Sequence, residues 1–305
     1  MLNSFLSLYI AGILGLNIAP SSLPSLPKET DAAMLASANL SDSQGQTSIP
    51  VKDSIHISPI IGARGSIALD LNSDSILYEK NPDERLKIAS ITKLMTLLIV
   101  LEENKLDDIV KVSANATSTP GSTMFLKTGE KISVENLIYG ALINSANDAS
   151  VALAEYNAGS TSAFVVKMNN KAKDIGLTNT HFSNPVGLDD SDNYSSARDI
   201  AHLGKFLYHN NLIKKIAKIK STEVRSVSGN YTHKLESTNK LLDSYLKING
   251  LKTGTTDDAG RCLIAIAEND RGEEIVTVVL NSGDRFRESK ILIDWVFRAF
   301  TWPNK

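Results

Sequence analysis
Cysteine is nearly absent: Cys262 is the only one in 305 residues, so no internal disulfide can form and packing must hold the fold. It stands in the apolar run RCLIAIA, where a small buried hydrophobe is expected. A basic surplus is missing too. Lys and Arg number 32 against 34 Asp and Glu, without a cationic block, which argues against nucleic acid and leaves small neutral or anionic substrates. The five histidines, His56, His181, His202, His209 and His233, form no H-E-x-x-H, and no G-x-S-x-G occurs. Zinc-protease and histidine-based serine chemistry are therefore unsupported, and no cofactor or metal is called for. No Lys or Arg precedes Lys28, and residues 5–19, FLSLYIAGILGLNIA, form an uncharged apolar run of 15. That length matches a signal-peptide core and falls short of the ~20 residues of a membrane span. Residues 1–19 are read as a signal peptide or N-terminal membrane anchor, and the protein as exported, to the outer face of the cell membrane or to the periplasm or wall.

Residues 20–60, rich in Ser, Pro, Asn and Gln, bury too little to offset ordering entropy and read as a flexible linker. One domain is expected over 61–305. GSIALDL and SILYEK, separated by Asn72-Ser73-Asp74, look like a hairpin. The run IASITKLMTLLIVLEE (88–103) is long enough to be a buried helix. Helical spacing recurs over 132–143, 149–159 and 162–176, and Ser196-Ala197-Arg198-Asp199 has the pattern of a capping box. RCLIAIAEN and EEIVTVVLNS, joined across Asp270-Arg271-Gly272, return to strand texture before a closing helix, RFRESKILIDWVFRAF, whose region carries Trp295 and Trp302 for packing on a sheet. Strands at both ends of a helical middle imply an α/β architecture of the α+β type, in which the terminal strands share one sheet.

Without histidine, a serine can still be activated by a lysine one helical turn away. Ser-x-x-Lys occurs at Ser25-Lys28, Ser90-Lys93, Ser237-Lys240 and Ser244-Lys247. Only Ser90-Lys93 opens a long apolar helix, where burial could strip the amine of its proton. Ser-x-Asn occurs at Ser37, Ser145, Ser191, Ser228 and Ser237. The copy at Ser191 sits in DDSDNYSS, a turn-like stretch, whereas Ser145-Ala146-Asn147 joins two apolar helices that would hold it rigidly. Lys-Thr-Gly occurs twice. Lys127-Thr128-Gly129 precedes a helix in a Pro-Gly-Ser-rich region and reads as a turn, while Lys252-Thr253-Gly254 lies in the strand-rich half, where an edge strand can present groups to an extended peptide.

The ordered set Ser90-Ile-Thr-Lys93, Ser145-Ala-Asn147, Lys252-Thr253-Gly254 resembles the serine D-alanyl-D-alanine carboxypeptidases, the low-molecular-mass penicillin-binding proteins. IASITKLMT, GSTMFLKTGEKISVENLIYGALINSANDA, FSNPVGLDD, YSSARDIA, STNKLL and GLKTGTTDDAGRCL are similar to stretches of the same family, over roughly residues 60–300. The resemblance implies a β-lactamase/transpeptidase-like fold, an antiparallel sheet flanked by helices plus a helical subdomain. It implies that Ser90 is acylated, that Lys93 is its general base and that Ser145 relays the proton to the leaving amine. Asn147 would hold the substrate amide, Lys252 and Thr253 the terminal carboxylate, with Gly254 completing the motif and Thr255 sharing an oxyanion hole with Ser90. The implied partners are peptidoglycan stem peptides ending in D-Ala-D-Ala, and β-lactams as covalent inhibitors. The extra C-terminal β-domain and amphipathic anchor of many members are expected to be absent, leaving any membrane association to the N-terminal segment. A D,D-endopeptidase acting on cross-links shares every motif. A class A β-lactamase would need an E-x-x-x-N segment between the second and third motifs, and Glu155, Glu223 and Glu236 do not supply one. A penicillin sensor without turnover is the third alternative.

Overall fold
A computed structural model describes residues 49–303. The first strands are β1 (Val51–Lys52), β2 (Gly65–Asp70) and β3 (Ile76–Lys80). They lead through a 3₁₀ turn at Ala89–Thr92 into α1 (Lys93–Glu103). The helical middle holds β4 (Ile109–Lys111), α2 (Ala114–Thr117), β5 (Lys131–Ser133), α3 (Val134–Ile143), α4 (Asn147–Ala158) and α5 (Thr161–Asp174). It continues with α6 (Ala197–Tyr208), α7 (Asn211–Ile216), β6 (Ser221–Arg225) and β7 (Thr232–Glu236). The chain returns to the sheet with β8 (Lys247–Thr256), β9 (Gly260–Glu268) and β10 (Glu274–Ser282), then α8 (Arg285–Ala299) and β11 (Phe300–Thr301).

The main sheet is antiparallel, in the order β3-β2-β10-β9-β8, so the N-terminal hairpin and the C-terminal strands do share one sheet. The strand period of two divides β9 between two cores. Ile264 and Ile266 face a cluster with Leu94, Leu97 and Ile200 of the helices, while Leu263, Ala265 and Ala267 face Leu292, Ile293 and Val296 of α8. Covered on both faces, β2 is buried along its whole length, which is why Ile67, Ala68 and Leu69 run apolar without alternation. Trp295 packs edge-on against Tyr78 and Phe300 at ring separations of 6.0 and 5.7 Å, and the Trp302 indole N–H donates to Asp70 Oδ1 at 2.7 Å. Cys262 is fully buried, and burial pushes its thiol up to about 11, so it behaves as an inert small hydrophobe.

Several boundaries differ from the sequence reading. The helix expected over 88–103 begins as a 3₁₀ turn and becomes α-helical only at Lys93. The helix expected from 132 starts at Val134, because Lys131–Ser133 pair with Ile109–Lys111 and Ser133 then caps the helix. Within the stretch read as linker, Val51 and Lys52 pair with Thr301 and Phe300. The apolar run at 5–19 and the stretch from 20 to 48 lie outside the described residues. Among the described residues, no helix is long and apolar enough to cross a membrane. Ser196 does cap α6, accepting from Asp199 N–H at 3.1 Å. Arg198 pairs with Asp83 and Glu79, and Asp199 Oδ2 accepts from Asn179 N–H and Thr180 Oγ1, so both residues fasten the start of that helix.

Candidate active site
The α1 helix is apolar on nearly every side, with Leu94, Met95, Leu97 and Ile99 buried, and this anchors the turn before it. In a 3₁₀ turn residues i and i+3 eclipse, which stacks Ser90 on Lys93 more closely than an α-helical turn would. Lys93 Nζ lies 2.8 Å from Ser90 Oγ and donates to the Val186 carbonyl at 2.7 Å. Ala89, immediately before the serine, has φ +49°, a left-handed conformation uncommon for a residue with a side chain and of a kind that collects at functional sites.

Ser145 also sits at positive φ, +58°, in the link between α3 and α4. Asn147 is the first residue of α4. Its N–H donates to Ser122 O at 2.6 Å and its Nδ2 to Pro120 O at 2.6 Å, leaving Oδ1 buried without a partner. The next residue, Asp148, accepts from Met124 and Leu126 N–H at 3.0 and 3.1 Å, clamping the loop that carries Gly121 and Ser122.

The third element is β8, whose free edge faces the serine turn. Lys252 Nζ donates to Ser145 Oγ at 2.8 Å and to Thr253 O at 2.9 Å, and Thr253 Oγ1 lies 2.6 Å from Thr238 Oγ1. Gly254 explains the third letter of the motif. A Cβ there would stand 2.7 Å from Ile88 O and 3.1 Å from Ser90 N, so only glycine lets the strand come this close.

Six of the eight residues expected from sequence, Ser90, Ser145, Asn147, Thr253, Gly254 and Thr255, line one cavity of about 300 Å³. Lys93 and Lys252 lie behind the two serines they bond, with 0% and 1% of their surface exposed. Burial drives the Lys93 amine well below its ordinary range, Lys252 lowers it further, and Asp148 opposes them. Lys252 is lowered to about 7, by burial first and then by the Arg285 guanidinium. A serine hydroxyl held against an amine whose proton burial weakens is the arrangement a lysine-activated nucleophile would require.

Arg285 is the residue that sequence reasoning missed. It stands at the first position of α8, lines the cavity, and donates Nη1 to Gly254 O at 2.7 Å and to Thr255 Oγ1. Nothing in SGDRFRES separates it from other surface arginines, because its place follows from β8 and α8 packing side by side. Ser25-Lys28 and the Ser37 copy lie outside the described residues, and the Ser237 copy adjoins the cavity, which Thr238 lines. In the Ser191 copy Ser191 and Asp192 are exposed, but Asn193 is buried and its Nδ2 donates to Thr92 Oγ1 at 3.3 Å, and Lys127-Thr128-Gly129 is a turn in which Glu130 N–H donates to Lys127 O at 2.9 Å. A Lys127→Ala substitution is accordingly expected to leave any activity at this cavity unchanged, which side-by-side rate measurements check.

Residues 52–284 match the peptidase S11 family, described as D-alanyl-D-alanine carboxypeptidase. The chain belongs to this family. The chain is similar to the D-alanyl-D-alanine carboxypeptidases DacF of Bacillus subtilis, 38% identical over 78% of the chain, and DacC of Escherichia coli, 40% identical over 79%. The chain spans 63% of the length of each. A DD-transpeptidase from Streptomyces superposes with a TM-score of 0.75 at 29% identity, covering 79% of this chain and 99% of that one. The expected fold, an antiparallel sheet with flanking helices and a helical subdomain, is therefore the fold of the family.

Proposed function
We propose that the protein is a serine D,D-carboxypeptidase that removes the terminal D-Ala from peptidoglycan stem pentapeptides through an acyl-enzyme on Ser90. The supporting observation is the contact of Ser90 Oγ with a buried amine at 2.8 Å, in a cavity with Arg285 at one end. Neutral Lys93 takes the Ser90 proton as Oγ attacks the carbonyl of the penultimate D-Ala. Charge on that carbonyl oxygen is met by the backbone N–H groups of Ser90 and Thr255, which the bare Cα of Gly254 brings together. Ser145 relays the proton to the departing amine nitrogen, the C–N bond breaks, and D-Ala leaves. Water then attacks the ester, giving one proton to Lys93 and restoring the Ser90 hydroxyl as the shortened peptide departs. The partnerless Oδ1 of Asn147 is the acceptor for a substrate amide N–H.

The terminal carboxylate fits the end formed by Lys252, Thr253, Thr255 and Arg285. A bound carboxylate favours the charged form of Lys252 and draws its proton back. Arg285→Ala is expected to lower kcat/KM for pentapeptide about 10–100-fold, chiefly through KM, because a charge-assisted hydrogen bond contributes ~1.5–3 kcal/mol. Steady-state rates of D-alanine release check it.

β-Lactams would acylate the same serine. With no E-x-x-x-N glutamate to activate water, the penicilloyl-enzyme is expected to persist. The catalytic unit is read as 61–305, acting outside the cytoplasmic membrane, where peptidoglycan lies. The deciding experiment supplies defined pentapeptide and cross-linked muropeptide. Release of D-alanine from pentapeptide supports the proposal, cleavage of cross-links alone makes the protein an endopeptidase, and acylation without product makes it a sensor.

A further inference from the structure
We propose that Asn184 is a positioning residue for the Lys93 amine. Its carboxamide shapes residues 184–188 so that the Val186 carbonyl turns the lone pair of that amine onto Ser90. The inference rests on the reading of Lys93 as general base. A neutral primary amine has two N–H donors and one lone pair, so an acceptor that takes one N–H restricts the lone pair to the two tetrahedral directions that remain. Here the acceptor is Val186 O, 2.7 Å away.

That carbonyl belongs to a segment folded around one side chain. Asn184 Oδ1 accepts from the N–H groups of Val186, Gly187 and Leu188 at 3.2, 2.7 and 3.1 Å, and Nδ2 donates to Leu188 O at 3.1 Å. From the other side α1 holds two consecutive carbonyls, Thr96 Oγ1 donating to Pro185 O at 2.7 Å and Lys93 to Val186 O. Gly187 brings the segment against the nucleophile turn, since a Cβ there would stand 1.9 Å from Ala89 O. Although Pro185, Val186 and Gly187 are buried, the segment is also a wall between two cavities. Val186 and Leu188 line both the catalytic cavity and an outer one of about 370 Å³. The carboxamide adds hydrogen-bonded order to that packing.

Asn184 carries no charge. The charged groups that act on Lys93 are Lys252 from β8 and Asp148 from α4, and neither changes when Asn184 is replaced. A loosened wall would admit water to the amine, ease the burial that keeps it neutral, and so move the acid limb of the reaction to higher pH.

The test measures second-order acylation by a labelled penicillin across that limb, on the full chain, with folding followed by thermal melts. Asn184→Ala is expected to be about 10²-fold slower, the scale of a misplaced catalytic group, with its limb displaced upward. Asn184→Asp keeps an acceptor for the three N–H groups and should recover most of the rate on the plateau. Asn169→Ala is the control for a merely structural loss. It removes a similar bracket, from Asn169 to Phe182 N–H and O at 2.9 and 2.8 Å, upstream of the wall, and should acylate within a few-fold of wild type even if it melts earlier. A folded Asn184→Ala protein with wild-type rate and limb would overturn the inference, as would an equal loss in Asn169→Ala. Should Asn184→Ala not fold, Asn184→Ser, with one acceptor on a shorter arm, carries the same expectation in smaller degree. A wild-type protein inert to penicillin would remove the reading of Ser90 and Lys93 instead.

Discussion

Ser90→Ala is expected to take up no labelled penicillin and to release no D-alanine, and Lys93→Met to retain only about 10⁻²–10⁻⁴ of the acylation rate, the share general-base catalysis supplies. The two losses differ in kind. Without Oγ no acyl-enzyme can form, so any covalent labelling of Ser90→Ala would place the nucleophile elsewhere. Without the amine, Oγ remains in place beside the same backbone N–H groups, and slow acylation should persist. The pH dependence separates them further. Lys93 must be neutral to accept the proton, so wild-type acylation rises with pH until its lowered amine has lost its charge. The Lys93→Met protein has no such group, and that rise should vanish with the rate. A Lys93→Met protein that kept the same acid limb would show that another residue is the base. Intact-protein mass and the fluorescence of bound antibiotic, followed against pH, give both readings.

Much of this site was legible in the sequence because its parts are local. Ser90 and Lys93 are three residues apart and open an apolar run, and Ser145 and Asn147 flank a junction between two helical patterns. Choosing between the two Lys-Thr-Gly copies needed only the change from helical to strand texture along the chain. The main sheet was legible for the same reason, since β2, β3, β9 and β10 are strongly patterned. What escaped was the short and the non-local. The pairs β4 with β5 and β6 with β7 are three to five residues long and stabilise each other across 19 or fewer intervening residues, too little for a period to show. The 3₁₀ start of α1 is set by the tight approach of Gly254 and Gly187 to Ala89 and its neighbours, contacts that cross most of the domain. Arg285 and Asn184 act through backbone carbonyls and N–H groups, and no residue spacing reports which carbonyl a side chain will meet.

Lys252→Met is expected to lose activity and gain stability together. Its Nζ donates to Ser145 Oγ from behind the cavity, and on the proposed reading it also meets the substrate carboxylate, so D-alanine release should fall about 10²–10³-fold. Stability moves the other way because burial lowers the folded-state amine from 10.5 to about 7. Below pH 7 both folded and unfolded chains carry the proton, and forcing it onto a buried amine costs the fold on the order of 5 kcal/mol. Between about 7 and 10.5 the unfolded chain binds the proton and the folded chain does not, so wild-type stability rises with pH through that window. Methionine removes this dependence. It also removes the donors to Ser145 Oγ and Thr253 O, which returns ~1–3 kcal/mol of the gain. A net gain of about 2 kcal/mol below pH 7 corresponds to a melting temperature higher by roughly 4–8 °C in a domain of this size. Above pH 10.5 the gain should disappear and the lost hydrogen bonds should leave the variant the weaker of the two. A Lys252→Met protein that melts below wild type at pH 6 would mean that the amine carries its charge in this cleft without cost to the fold.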